Sequence, residues 1–222
     1  FAANGPPRAR ALVCAGGGYL QLVHDKEGVE VAQWLATQGI EAQVLVHRLP
    51  GQSDGQGGRW PFDVALQDGL AALARLGPPR LPLLLVGLSS GGHLAATLAC
   101  QPQAKAAGAA GALLAYAPLN ANHRAHKFPP GKPDYPPPEK QAFYDAWPIG
   151  LTDEPHGLPP VPVFLACALH DAMVPVEHAL RLVRSLQAQA GHVELHVFAD
   201  APHGFALRDL GSTHALWPLL AR

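Results

Sequence analysis

Leu81-Pro-Leu-Leu-Leu-Val-Gly-Leu-Ser-Ser-Gly-Gly-His-Leu-Ala-Ala-Thr-Leu-Ala-Cys100 is the stretch on which the reading of this chain turns. An apolar run long enough for a buried strand ends at Gly87, the chain turns over Ser89, and a helical pattern begins at once. The spacing is G-x-S-x-G, with Gly87, Ser89 and Gly91 in the fixed positions. Its physical reason is steric. A sharp strand-to-helix turn strains the serine backbone and lifts the hydroxyl above the sheet edge, and small residues on either side let strand and helix approach that closely. Ser89 is therefore a candidate nucleophile, and the alternative is a plain Gly-rich turn.

Outward from this stretch, apolar runs and helical patterns alternate. Ala11–Cys14 reads as a short buried strand broken by Gly16, Gly17 and Gly18. Asp25–Gln38 reads as a helix closed by Gly39, and Glu41–Leu49 as a second strand. Phe62–Leu76 carries Phe62, Leu66, Leu70 and Leu73 on one helical face. Beyond the elbow, Ala109–Ala117, Val161–Leu169 and Val193–Phe198 read as strands. Val176–Ala190 and Arg208–Leu220 read as helices. Strands that are apolar throughout and alternate with helices predict a parallel sheet of about six strands, covered on both faces. In such sheets chemistry gathers at the carboxyl ends of the strands.

Those strand ends supply what a serine needs. A hydroxyl is a weak nucleophile without a base in hydrogen-bond reach, and the base needs an acid to fix its tautomer. Asp171 follows the fifth strand, and His203 lies in the loop after the sixth. After the first strand, the glycine triplet leaves backbone N–H groups unobstructed; Gly16 and Gly17, with the N–H of Ser90, are candidate oxyanion donors. Taken singly, Asp171 reads as a helix N-cap and His203 as a solvated loop histidine; the order Ser, Asp, His joins them to Ser89. Asp200 is a weaker candidate for the acid, and His170 a neighbour of Asp171. His93, one helical turn after Ser89, reads first as a residue packed below the elbow.

Composition narrows the function further. The chain has 222 residues, 48% of them hydrophobic, and a formal net charge of −1. Length suits one domain, and near-neutrality points away from nucleic acid and anionic membranes. Cys14, Cys100 and Cys167 form neither a disulfide framework nor a metal spacing. Twelve histidines include no H-x-x-x-H pair on a helix, so no metal is expected. The glycine triplet lacks the G-x-G-x-x-G spacing and a Lys-Ser/Thr pair, which disfavours nucleotides. No apolar run reaches membrane-spanning length, and the compartment stays open between cytoplasmic and secreted or periplasmic.

The motifs together resemble the α/β-hydrolase esterases of the acetyl-xylan esterase and feruloyl-esterase-like type, related to the dienelactone-hydrolase-like and hormone-sensitive-lipase-like esterases. The resemblance covers most of the chain. It rests on Gly16-Gly-Gly-Tyr19, Val46-His-Arg-Leu-Pro50, Gly87-Leu-Ser-Ser-Gly-Gly-His-Leu-Ala95, Asp171-Ala-Met-Val-Pro-Val-Glu177 and Glu194-Leu-His-Val-Phe198 followed by His203-Gly-Phe205. It implies a minimal α/β-hydrolase fold without the opening antiparallel strands, and cofactor-free hydrolysis of a small-molecule or carbohydrate ester. It also implies Ser89, Asp171 and His203 as the triad, with Gly16, Gly17 and Ser90 as oxyanion donors. Cys14-Ala15 departs from the Pro or His usual before the glycines. Residues 121–160, rich in proline and aromatics, match no pattern of the family and read as a cap or rim within a single domain spanning residues 1–222. Tyr19, His93, Tyr144 and Trp147 are the candidate substrate contacts, and a restricted pocket favours short acyl groups. The same triad serves peptidases and aryl-formamide hydrolases, and a non-catalytic ligand-binding protein of this fold is the alternative from another class.

Overall fold

In the computed structural model, residues 1–120, 123, 127–151, 157–208 and 211–221 are described. Six strands form one sheet in the order β2-β1-β3-β4-β5-β6, and every pairing is parallel. They are β1 (Ala9–Cys14), β2 (Ile40–Leu45), β3 (Leu83–Leu88), β4 (Ala109–Ala115), β5 (Val163–Ala168) and β6 (Val193–Phe198). The parallel sheet and its helices on both faces agree with expectation, and no antiparallel strand joins the sheet among the described residues. The strand order reverses between β1 and β3, so a crevice opens beyond their carboxyl ends, where Cys14 pairs with Gly87.

The period-2 alternation of each strand feeds two cores. From β1, Leu12 and Cys14 enter one cluster, and Ala9, Ala11 and Val13 the other. The first cluster packs under α2 (Val64–Leu76), α3 (Ser90–Ala99) and α6 (Glu177–Ala188), through residues such as Leu73, Leu94 and Leu182. The second packs under α1 (Glu30–Thr37) and the C-terminal segment, through Leu35, Phe205 and Trp217. Central strands are buried on both sides, as fully apolar runs require. No helix of the described residues is long and apolar enough to cross a membrane.

Four local readings change. The first helix begins with a π-helical turn, His24–Val29, before α1. β2 stops at Leu45, because Arg48 is drawn away: its backbone N–H and its guanidinium both donate to Asp68. The expected closing helix Arg208–Leu220 is only a 3₁₀ turn, Thr213–Leu216, continued by α7 (Trp217–Leu220); positions 209 and 210 lie outside the described residues. The C-terminal segment is instead anchored by burial of Trp217, whose indole N–H donates to the Ala206 carbonyl at 2.6 Å. Finally, α4 (Pro102–Ala106) and α5 (Pro138–Ala146) were not evident from periodicity. Within the 121–160 span, residues 121, 122, 124–126 and 152–156 lie outside the described residues.

Candidate active site

The elbow at Ser89 is as tight as its spacing demands. Ser89 has φ 51° and ψ −129°, a region sparsely populated by L-residues and costing on the order of 1–3 kcal/mol. Its N–H donates to Ala115 O at 2.9 Å, which ties the turn to β4. A Cβ at Gly91 would collide with the Cys14 carbonyl at the end of β1, and one at Gly87 with the backbone of Gly91 and Gly92. Neither collision has a flexible side chain to give way, so both positions require glycine.

Three strand ends then bring three side chains together. Ser89 Oγ lies 3.1 Å from His203 Nε2, and His203 Nδ1 lies 2.7 Å from Asp171 Oδ2. The Asp171 side chain is 1% exposed and that of His203 18%. Asp171 Oδ1 accepts the N–H groups of Met173 and Val174, each at 2.8 Å. This Asx-type turn fixes the carboxylate in place and aims its other oxygen at the imidazole. An ionised carboxylate only accepts, so Nδ1 carries the proton and Nε2 presents a lone pair to the serine hydroxyl. The ring of Tyr116, just past β4, packs edge-on against His203 with centroids 5.1 Å apart. His170 is exposed and Asp200 lies at the surface, so neither takes part.

The glycine turn after β1 corrects one expectation. Gly16 is not a free donor: its N–H donates to Glu27 Oε2 at 2.9 Å. Gly17 N–H and Ser90 N–H, by contrast, make no hydrogen bond within the described residues, and both residues line the cavity around Ser89. Gly18 N–H donates to Ser90 Oγ at 2.8 Å, which locks the turn to the start of α3. Sequence reasoning missed Glu27. It is 4% exposed, and its Oε1 accepts the Tyr116 hydroxyl at 3.1 Å. Burial holds its carboxyl above the usual range, although the Tyr116 and Gly16 hydrogen bonds and nearby His203 pull the other way.

Above the turn sits α5. His93 Nε2 lies 2.7 Å from the Trp147 carbonyl, which can only accept, so Nε2 carries the proton and Nδ1 accepts the Tyr19 hydroxyl at 2.9 Å. The rings of Phe143 and Tyr144 pack on Tyr19 and His93 with centroids 4.8–5.5 Å apart. Burial lowers the pKa of His93 to about 4, with the Trp147 bond opposing. Of the four candidate substrate contacts, only Tyr144 lines the cavity. Tyr19 and His93 are 1% and 0% exposed and bind each other, while Trp147 contributes a backbone carbonyl to His93.

The cavity holds about 430 Å³ and is bounded by Gly17, Gly18, Ser89, His203, Tyr144 and Lys140, among others. All three cysteines are free, and burial pushes each thiol up to about 12, so none offers a competing thiolate at neutral pH. No cluster of His, Cys, Asp or Glu among the described residues has the makings of a metal site.

Comparison with known proteins agrees with this fold. The prolyl oligopeptidase family model matches residues 81–216, and the serine aminopeptidase (S33) model matches residues 6–130. No curated protein matches the chain. Among solved structures, an acetyl ester-xyloside bifunctional hydrolase from Caldicellulosiruptor lactoaceticus superposes with a TM-score of 0.70 at 22% identity, covering 100% of this chain and 83% of that one. A carboxylesterase from Lactobacillus plantarum gives 0.71 at 22% identity, covering 97% and 84%. A sugar hydrolase from Lactococcus lactis gives 0.72 at 19% identity, covering 100% and 89%. At these identities the solved structures speak for the fold. Each family model spans more than half of the residues, and their overlap includes the Ser89 elbow; this chain therefore belongs to the α/β-hydrolase family, in the group of serine hydrolases that the prolyl oligopeptidase and serine aminopeptidase models describe.

Proposed function

We propose that this protein hydrolyses carboxylic esters of short acyl groups, acetyl foremost, carried on carbohydrate alcohols, with Ser89 as nucleophile. The observation that carries the reading is the hydrogen-bonded chain Ser89–His203–Asp171, set beside two N–H groups, of Gly17 and Ser90, that are unengaged among the described residues and belong to the lining of the same cavity.

In this mechanism His203 Nε2 takes the Ser89 proton as Oγ bonds to the ester carbonyl carbon. Asp171 stabilises the imidazolium, and Gly17 N–H and Ser90 N–H hold the oxyanion, each worth on the order of 10²–10³ in turnover. The intermediate collapses, the C–O bond to the alcohol breaks, and the alcohol leaves with the proton from His203. Water then attacks the acyl-enzyme with His203 again as base, releasing the acid and restoring Ser89. Strain already present at Ser89 keeps Oγ at the cavity rather than packed on the sheet.

Support for a small acyl group comes from the cavity, roofed by Tyr135, Lys140 and Tyr144 of the 121–160 span. That span acts, in this reading, as a rim that shapes substrate within a single domain. Carbohydrate alcohols are favoured by aromatic Tyr135 and Tyr144 at the cavity wall and by the names of two structural neighbours, the acetyl ester-xyloside hydrolase and the sugar hydrolase. A peptidase reading draws on the two peptidase family models. One panel separates them: acetylated xylo-oligosaccharides, 4-nitrophenyl esters from acetate to palmitate, and aminoacyl 4-nitroanilides. Acetate release with a fall in rate beyond short acyl chains is expected. Faster cleavage of the palmitate ester or of the anilides would overturn the assignment.

A further inference from the structure

Lys140 is an unusual lining for a neutral-ester cavity. It lies on α5, in a proline- and aromatic-rich span, and is 6% exposed, yet it forms no ion pair among the described residues. Its Nζ sits over the Tyr135 ring, 4.7 Å from the centroid, and a methyl group placed on Gly18 would stand 3.8 Å from it. Gly18 is the residue whose N–H holds Ser90 Oγ, so this ammonium borders the oxyanion turn and shares the cavity with Ser89. Lys132 Nζ lies 5.0 Å from the same tyrosine centroid and faces an adjoining groove that shares Tyr135 and Met173 with the main cavity.

An ammonium withdrawn from water with only an aromatic face for company is short of an anion. Of the other groups lining the cavity, Glu27 is turned toward Gly16 and Tyr116, whose N–H and hydroxyl its two oxygens accept. His203 is engaged with Ser89 and Asp171. The cavity therefore carries an ammonium, Lys140, to which none of the described carboxylates is paired. Burial, helped by Lys132, brings Lys140 down to about 8, so it remains largely charged at neutral pH.

From this placement we infer that the ester substrate carries a carboxylate, in its acyl or its alcohol part, which pairs with Lys140. The inference rests on the serine esterase reading of the site and narrows its substrate class to acidic esters: half-esters of dicarboxylic acids on the acyl side, or acylated acidic sugars on the alcohol side. Tyr135 holds the ammonium in place, and the charge-assisted hydrogen bond to a carboxylate supplies selectivity against neutral esters of equal size.

The test uses paired substrates that differ by a methyl group replaced with a carboxylate. Monoethyl succinate against ethyl butyrate probes the acyl side; 4-acetoxybenzoate against 4-methylphenyl acetate probes the alcohol side. The wild-type protein is expected to favour the acidic member by about tenfold or more in kcat/KM in at least one pair. In Lys140→Met and Lys140→Glu that preference should vanish and invert, respectively. Glutarate binding to Ser89→Ala, by calorimetry, with and without Lys140→Met, reads the site without turnover. Wild-type hydrolysis of the neutral esters with no acidic preference in either pair would overturn the inference and leave the esterase intact. Preference that survives Lys140→Met would overturn it too. No hydrolysis of any ester, with Lys140-dependent glutarate binding, would keep the anion site and sink the esterase reading.

Discussion

Glu27 joins three parts of the site at once: the glycine turn through Gly16, the β4 end through Tyr116, and the edge of the cavity itself. Removing its carboxyl leaves a buried amide and a buried hydroxyl without acceptors. Glu27→Ala is expected to cost about 2–4 kcal/mol in denaturant unfolding and to lower kcat on 4-nitrophenyl acetate by roughly ten- to a hundredfold, because Gly17 loses its fixed position. Glu27→Gln keeps one acceptor and should recover most of both. Wild-type turnover in Glu27→Ala would show that the turn stands without it. Gly91→Ala is the steric counterpart: its Cβ would meet the Cys14 carbonyl, and a loss of at least about 3 kcal/mol, or no folded protein, is expected. The elbow glycines, Ser89, Asp171 and His203 were all legible because motif spacing and strand ends fix them locally. Glu27 was not. In sequence it is one more carboxylate near a helix start, and only the π-helical turn and a tyrosine from a distant strand bury it.

α5 is held by chemistry rather than by a hydrophobic stripe. Its buried positions include Lys140 and Gln141 beside Phe143 and Tyr144, so the apolar period that announces other helices is blurred, and Pro136-Pro-Pro138 before it reads as loop. The strands were legible for the opposite reason: each is an apolar run bounded by Gly, Pro or polar residues. What clamps α5 is His93, which must stay neutral to accept from Tyr19. The unfolded chain protonates this histidine near pH 6.5, whereas the folded protein holds it to about 4. Between those values the unfolded state binds the extra proton, so stability falls as pH drops, by up to about 3 kcal/mol from this residue. Urea unfolding at pH 7 and pH 4.5 checks it. The slope should be shallower in His93→Gln than in the wild type; equal slopes would remove His93 from the account.

At the scale of the whole molecule, the reversal of strand order between β1 and β3 sets the glycine turn beside the elbow, and β5 and β6 deliver Asp171 and His203 from the far side of β4. Parallel strands place every one of these loops at the same sheet edge, which is why a sequence read for strand ends could assemble most of the site. The cavity lining was less legible, since Lys140 and Tyr144 come from α5 and Tyr135 from the segment before it. The central claim is that Ser89 is the nucleophile, and hydrolysis of 4-nitrophenyl acetate by the wild type and Ser89→Ala at equal concentration measures it most directly. A fall in kcat on the order of 10⁶ is expected for the variant, with its unfolding transition retained; a Ser89→Ala protein that turns over near the wild-type rate would rule Ser89 out as the nucleophile.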